Sequence, residues 1–191
     1  MKKPFLWIAA LIALVVLPAV CKGEENQEDM APDRYGFALM TGTTYDPDND
    51  IRLCMMSGFA LYDYDRVWPH RAPEPLRFKV EMDMGAGMNS GSRFMGSVNI
   101  LALYFADRFS NKRIRPYGEA GIGLIYTDFR VKGQGLRFNF NPQIGFGTEI
   151  KTRSGEVYFT AFRLHHISNA NFVDDNRGVN SAIILFGRLY K

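Results

Sequence analysis

The chain has 191 residues, a net charge of +3 and 47% hydrophobic residues, a size that predicts one folded domain. Its basic excess is small and forms no cluster of the kind that nucleic-acid-binding proteins carry, which excludes nucleic acid as an expected partner. Apolar residues are abundant after the N-terminal segment, yet they alternate with polar residues instead of forming one long run, a pattern typical of β-strands.

Residues 1–23 have the pattern of a secretory signal peptide. Two lysines stand near the start of the segment, an apolar stretch follows at residues 5–17, and a cleavage region with small residues comes last. The apolar stretch is shorter than the roughly 20 residues of a membrane-spanning helix, so we expect export and cleavage. Residues 24–191 then form the mature domain. Cys21 raises the alternative of a lipoprotein signal, although Val20 stands where lipidation needs a small residue.

Eight segments of the mature domain alternate in the manner of strands. Along residues 77–84, every odd-numbered position is charged and every even-numbered position is apolar. Successive side chains of a strand point to opposite faces, so one face of this segment is apolar and the other is charged. The predicted strands are Tyr35–Gly42, Ile51–Tyr62, Arg77–Asn89, Ser92–Ala106, Arg115–Asp128, Arg137–Ile150, Glu156–Ser168 and Asn180–Tyr190.

Two all-β architectures fit this alternation. In a soluble sandwich or barrel the apolar faces pack inward, whereas in an outer-membrane barrel they meet lipid around a polar lumen. Glycines in segments 118–123 and 145–147 favour the second, because closely approaching strands leave little room for side chains. We therefore predict an eight-stranded antiparallel outer-membrane β-barrel. The connection 63–76 is long for the end at which turns are usually short, which marks it as a place for a miscounted or broken strand.

The last predicted hairpin carries the residues whose side chains could take part in a reaction. His166 and Ser168 lie two positions apart at the end of the seventh strand, so both project from one face, while His165 projects from the other. An imidazole beside a hydroxyl is the arrangement in which a base activates a nucleophile. Phe162 and Leu164 share the face of His166, so an apolar stripe leads to the pair.

The segment Leu164–Asn180, with His-Ile-Ser-Asn-Ala at 166–170 and Asn-Arg-Gly at 176–178, resembles the lipid A 3-O-deacylase family of Gram-negative outer-membrane β-barrels. The resemblance implies a carboxylic ester hydrolase that removes an acyl chain, at the 3-O position, from the lipid A of lipopolysaccharide. It makes Ser168 the nucleophile and His166 its base. It also implies that Asn176 or nearby backbone amides hold the oxyanion, with Asn169 as a structural or oxyanion neighbour.

The residue that orients the histidine departs from the family pattern. Family members carry a glutamate twelve residues after the serine, and this chain has Asn180 there. An asparagine can accept a hydrogen bond from imidazole and hold its tautomer, but it lacks the negative charge that stabilises imidazolium. We predict Asn180 as the third catalytic residue, with the loop carboxylates Asp174 and Asp175 as alternatives. Arg177 in the same loop is predicted to bind a lipid phosphate.

The expected setting is the bacterial outer membrane. Barrels of this kind end in the periplasm, so the last hairpin lies at the cell surface and the site at the outer leaflet. The expected partners are lipopolysaccharide and membrane lipid, with a homodimer left open. No cofactor or metal ion is expected, because His165 and His166 face opposite sides of a strand. The alternative function is a non-enzymatic small barrel, serving as structural protein, adhesin or narrow pore, in which the hairpin is only a loop.

Overall fold

The computed structural model describes residues 31–48, 50–68 and 71–191. The predicted signal peptide lies outside the described residues, and the mature boundary at residue 24 stays a prediction. The strands are β1 (Arg34–Asp46), β2 (Arg52–Asp63), β3 (Leu76–Met88), β4 (Ser92–Phe105), β5 (Ile114–Thr127), β6 (Phe138–Phe140), β7 (Gln143–Lys151), β8 (Val157–Ile167) and β9 (Val179–Tyr190). A one-turn α-helix (Tyr64–Val67) and a 3-10 turn (Asp107–Phe109) lie in two of the connections. No helix among the described residues is long and apolar enough to cross a membrane.

The strands form one closed antiparallel barrel. Consecutive strands pair from β1 to β5 and from β7 to β9, β7 pairs with β5, and β9 pairs with β1. Both β6 and β7 pair with β5 and are separated only by Asn141 and Pro142, so together they fill one position in the wall. The barrel has eight positions, and the predicted eight-stranded antiparallel architecture is confirmed.

The irregularity expected at connection 63–76 lies elsewhere. The one-turn helix occupies that connection, and β2, β3 and β4 pair without interruption beside it. The broken strand is the predicted sixth one, Arg137–Ile150, because Pro142 has no N–H to donate to a ladder. The carbonyl of Pro142 accepts a hydrogen bond of 3.0 Å from the backbone N–H of His166. The break therefore faces the end of β8, where the predicted site lies.

The charged faces of the strands point into the lumen and the apolar faces point outward. Lys79, Glu81 and Asp83 of β3 are buried, while the intervening Met82 and Met84 are 59% and 54% exposed. A soluble sandwich or soluble barrel would show the reverse. Outward apolar side chains are what a lipid bilayer requires of a barrel, so the membrane interpretation of the alternation is confirmed.

Side chains fill the lumen. Arg163 donates hydrogen bonds to both Glu81 and Glu119 at its centre, and Lys79 Nζ lies 2.6 Å from a carboxylate oxygen of Glu81. Apolar side chains pack above and below this charged cluster, among them Phe59, Phe105, Tyr117 and Phe159 on one side and Leu53, Met95, Ile125 and Ile167 on the other. A filled interior is expected for eight strands and argues against the narrow-pore alternative.

The two ends of the barrel differ. At the termini end, β1 begins beside the last residues of β9, with Tyr35 in register with Tyr190. The opposite end, called here the hairpin end, carries connections 47–51, 89–91, 128–137 and 168–178. All predicted site residues lie at the hairpin end.

Candidate active site

His166 and Asn180 face each other across the β8–β9 ladder at the hairpin end. The two residues are register partners, and His166 Nδ1 lies 2.6 Å from Asn180 Oδ1. This contact has the geometry that the sequence predicts for the residue that orients the base. The loop carboxylates are the weaker alternative, because in the described structure neither Asp174 nor Asp175 makes a side-chain hydrogen bond to His166.

The amide of Asn180 is oriented from its other side. Its Nδ2 group donates a hydrogen bond of 2.8 Å to Asp46 Oδ2, at the end of β1. An ionised carboxylate can only accept, so the amide nitrogen must face Asp46 and the carbonyl must face His166. His166 then carries its proton on Nδ1, and Nε2 is the nitrogen that can accept a proton.

Ser168 lies directly after the last residue of β8 and is half-buried. Its backbone exchanges two hydrogen bonds with Phe140 of β6, of 2.8 and 3.1 Å, which fix the chain at this point. His166 and Ser168 occupy alternate positions of one outward-facing side, as predicted. No hydrogen bond within 3.5 Å joins Ser168 Oγ to His166 among the described side chains. Such contacts often form only when the substrate is bound.

Asn169 and Asn176 shape the loop that follows the serine. The backbone N–H of Asn169 donates to Asn176 Oδ1, and the buried Asn169 amide donates to the carbonyl of Asp175, both at 2.8 Å. Asn176 Nδ2 in turn donates to Asn171 Oδ1 at 2.8 Å. Both asparagines therefore lie in the loop after Ser168, and their hydrogen bonds hold the conformation of that loop. Their participation in oxyanion binding stays a prediction.

The same loop contains a tight turn. Ala170 and Asn171 have positive φ angles of 53° and 61°, and the N–H of Phe172 donates to the carbonyl of Asn169 at 3.1 Å. Two left-handed residues spanned by this bond are the marks of a type I′ turn. An alanine rarely adopts such a conformation, so the loop holds Ala170 in a sparsely populated state next to Ser168.

Gly178 provides the space in which the imidazole lies. A Cβ atom at this position would stand 2.6 Å from Cε1 and 3.3 Å from Nε2 of His166. Real Cβ atoms do not approach a ring atom so closely, so any larger residue would displace the imidazole. The glycine of the Asn-Arg-Gly motif therefore has a steric reason in this contact.

Arg177 forms an ion pair with Asp46 beside the site. Its Nη2 group lies 2.6 Å from Asp46 Oδ1, and its backbone N–H donates to the carbonyl of Gly133. The Arg177 side chain is 47% exposed. A guanidinium has five N–H donors, so donors remain for a ligand on the exposed side. Asp46 itself is a site residue that the sequence did not reveal.

An apolar groove of about 250 Å³ opens on the outer wall beside the histidine. Its lining residues are Tyr45, Pro142, Gln143, Ile144, Leu164, His165, His166 and Asn180. Ile144 and Leu164 are 60% and 41% exposed, so the groove faces the lipid and not the lumen. His165 points to the other side of the wall, where it is buried, as the strand period predicts.

The described residues contain no group of three or more histidine, cysteine or acidic side chains that could hold a metal ion. The polar groups around His166 are instead joined to one another by hydrogen bonds. The chemistry that this arrangement supports is proton transfer by an oriented imidazole.

Two solved outer-membrane barrels are similar to this chain. The crystal structure of the outer membrane enzyme PagL has a TM-score of 0.55 and 23% identity, and the match covers 80% of this chain and 97% of that one. Neisserial surface protein A (NspA) has a TM-score of 0.57 and 16% identity, over 83% of this chain and 94% of that one. At these identities the similarity shows the shared fold. No curated protein sequence matches the chain.

The closed wall and the apolar outer face define a bacterial outer-membrane β-barrel, and an oriented histidine lies at its rim. The family model of lipid A 3-O-deacylase (PagL) matches residues 57–188, more than half of the chain. The chain belongs to this family, and the resemblance seen in the sequence is confirmed. Outer-membrane localisation and a carboxylic ester hydrolase activity follow from that membership.

Proposed function

We propose that the chain hydrolyses the acyl ester at the 3-O position of lipid A, with Ser168 as the nucleophile and His166 as its base. One observation carries this proposal. The hydrogen bond of 2.6 Å between His166 and Asn180 orients an imidazole at the end of an apolar groove on the lipid-facing wall. An acyl chain in the groove would hold its ester beside His166, which shares the outward-facing side of the chain with Ser168.

The reaction has two half-reactions. His166 Nε2 takes the proton of Ser168 Oγ as the oxygen attacks the ester carbonyl, and a tetrahedral oxyanion forms. The carbon–oxygen bond to the sugar breaks, and the proton passes from His166 to the departing sugar oxygen. Water then attacks the acyl-serine with His166 as base, which releases the fatty acid and restores Ser168. Donors at Asn169, Asn176 or the loop backbone would stabilise the oxyanion in each half-reaction.

The position of the groove supports entry of the substrate from the membrane. Lipid A lies in the outer leaflet, and the groove opens sideways at the hairpin end. With the termini end in the periplasm, the site stands at the level of the outer leaflet. The acyl chain then need not leave the hydrophobic phase before it reacts, which avoids the cost of about 0.8 kcal/mol for each methylene group exposed to water.

A basic cleft at the hairpin end supports the proposal that the substrate has a phosphorylated headgroup. The cleft has a volume of about 620 Å³, and its lining includes Arg93, Arg130, Lys132 and Arg137. Gly133, also in the lining, accepts a backbone hydrogen bond from Arg177, so the cleft adjoins the catalytic loop. Guanidinium groups match the geometry of phosphate oxygens, which makes this cleft and Arg177 suited to the phosphorylated headgroup of lipopolysaccharide.

Mass spectrometry of lipid A tests the function. Cells that express the wild-type chain should contain lipid A lacking one ester-linked acyl chain, and cells that express Ser168→Ala should keep the full acyl pattern. Both proteins must show heat-modifiable migration on gels, which reports a folded barrel. An unchanged acyl pattern with folded wild-type protein would favour the non-enzymatic alternative. The homodimer stays a prediction that the mass of the purified protein in detergent would test.

A further inference from the structure

We propose that Asp46 is a positioning residue for catalysis, which acts on His166 through the side chain of Asn180. This inference rests on the proposed function. The structure joins the three side chains in one line, with 2.8 Å from Asp46 Oδ2 to Asn180 Nδ2 and 2.6 Å from Asn180 Oδ1 to His166 Nδ1. The family model begins at residue 57, so Asp46 lies outside the matched part of the chain.

A β-bulge brings Asp46 into this line. In the β1–β9 ladder, Thr44 pairs with Ser181 and Asp46 pairs with Asn180, so Tyr45 is an extra residue on β1. Without the bulge Tyr45 would stand opposite Asn180, and Asp46 would face the next position. Bulges commonly redirect a side chain beside an active site. Here the bulge places the carboxylate next to Asn180 and leaves Tyr45 in the lining of the apolar groove.

The carboxylate removes an ambiguity that an asparagine alone would have. An asparagine amide can present either its carbonyl or its NH₂ group to an imidazole, and the two choices select opposite tautomers. With the NH₂ group toward Nδ1, the proton would sit on Nε2 and the base would be blocked. Asp46 accepts only from the NH₂ group of Asn180, so it selects the orientation that leaves Nε2 able to accept the proton of Ser168.

Asp46 also supplies a negative charge. The imidazolium that forms during each proton transfer gains little from a neutral amide. A carboxylate bonded to the far side of that amide polarises it, and hydrogen bonds in such a chain strengthen one another. Asn180 has no negative charge, but the carboxylate of Asp46, which is hydrogen-bonded to Asn180, has one. Arg177 bonds the other carboxylate oxygen at 2.6 Å and holds Asp46 in place.

A charge swap separates this role from simple support of the loop. Asp46→Asn removes the charge and the acceptor-only partner. It should lower kcat for release of the fatty acid by about 10- to 100-fold, the loss seen when a metal-binding histidine loses its outer hydrogen-bond partner, with KM changed little. Asn180→Asp alone places two carboxylates in contact and should also be impaired. The double variant Asp46→Asn/Asn180→Asp moves the carboxylate next to His166, and should recover most of the wild-type kcat.

The matched control is Asp50→Asn, an acid-to-amide change in the connection that follows β1. Asp50 accepts a hydrogen bond from Asn89, away from the histidine, and the change should leave kcat near the wild-type value. All variants are compared as purified, heat-modifiable barrels on lipid A in detergent micelles, with rates read by mass spectrometry.

Two results would overturn the inference. In the first, Asp46→Asn keeps a kcat within about twofold of wild type, and in the second, the double variant is no faster than Asp46→Asn. A role limited to holding Arg177 predicts the second result, because the swap does not return a carboxylate to position 46. Failure of the proposed function is distinct, since it would appear as a folded but inactive wild-type protein or as activity retained in Ser168→Ala.

Discussion

The charged cluster in the lumen and the hydrogen-bonded network around His166 contain the same kinds of side chain but differ in burial. Arg163, Glu81 and Lys79 have side-chain exposures of 0%, 0% and 2%. In the second network Arg177 and Asp46 are 47% and 40% exposed. Adjacent residues of β8 point toward the two environments, because His165 is buried in the lumen and His166 faces the groove.

The difference shows what separates a structural network from a reactive one. In the lumen, two cations face two acids, and Arg163 uses Nε and both terminal nitrogens on carboxylates. Among the described residues, the network around His166 satisfies only one imidazole nitrogen, Nδ1, and leaves Nε2 without a protein hydrogen-bond partner. A network whose polar groups all bond one another stabilises the fold. A network in which one basic nitrogen has no partner in the protein can accept a proton from a substrate or nucleophile.

The largest expected effect is on the reactive network. Ser168→Ala and His166→Ala should each lower the rate of acyl release by at least about 10⁴-fold, since in the proposed mechanism the nucleophile and its base act as one unit. For the same reason the double variant should be scarcely slower than either single variant. The measurement is single-turnover release of fatty acid from lipid A. Additive losses in the double variant would show that the two residues act independently.

Arg163→Met tests the lumen cluster and should affect stability more than chemistry. It leaves Glu81 and Glu119 buried without their main partner, a change that typically costs about 3–5 kcal/mol. We expect a lower unfolding midpoint in detergent and denaturant, with near-normal kcat for the molecules that remain folded. Loss of activity at unchanged stability would show that the lumen cluster takes part in the reaction.

Asn180→Ala should come next in size. It removes the hydrogen bond of 2.6 Å that sets the His166 tautomer and separates the imidazole from Asp46. We expect kcat to fall by about 10²-fold, less than the 10⁴-fold loss seen when a serine protease loses its charged orienting group, with the barrel still heat-modifiable. Asp174→Ala and Asp175→Ala serve as comparisons and should retain activity. The reverse result would make a loop carboxylate the orienting group.

Gly178→Ala should have a moderate effect on kcat through steric displacement. The added Cβ would meet the imidazole at 2.6 Å, so the ring must shift away from its hydrogen bond with Asn180. A displacement of this size commonly costs about 10- to 100-fold in rate. The control is Gly118→Ala, where a Cβ would meet nothing closer than the carbonyl oxygen of Gly145 at 3.9 Å. Equal activity of the two variants would show that the imidazole has another productive position.

Local features of this protein were readable from its sequence, and features that depend on closure of the barrel were not. The alternation along residues 77–84 and the shared face of His166 and Ser168 follow from the strand period alone. Asp46 is 134 residues from Asn180, and the two meet only because β1 closes on β9 with a bulge at Tyr45. Nothing near position 46 in the sequence indicates which residue that closure places opposite it.

The smallest expected effect belongs to the histidine on the other side of the wall. His165→Ala changes a buried lumen side chain, so we expect a loss of about 1–3 kcal/mol in stability and retention of most deacylase activity. His166→Ala, one residue further along β8, should be inactive in the same assay. The pair differs only in which face of one strand is altered, so it tests the outward position of the base directly. If His165→Ala were inactive and His166→Ala active, the base would lie in the lumen, and both the register of β8 and the lipid-facing site would be wrong.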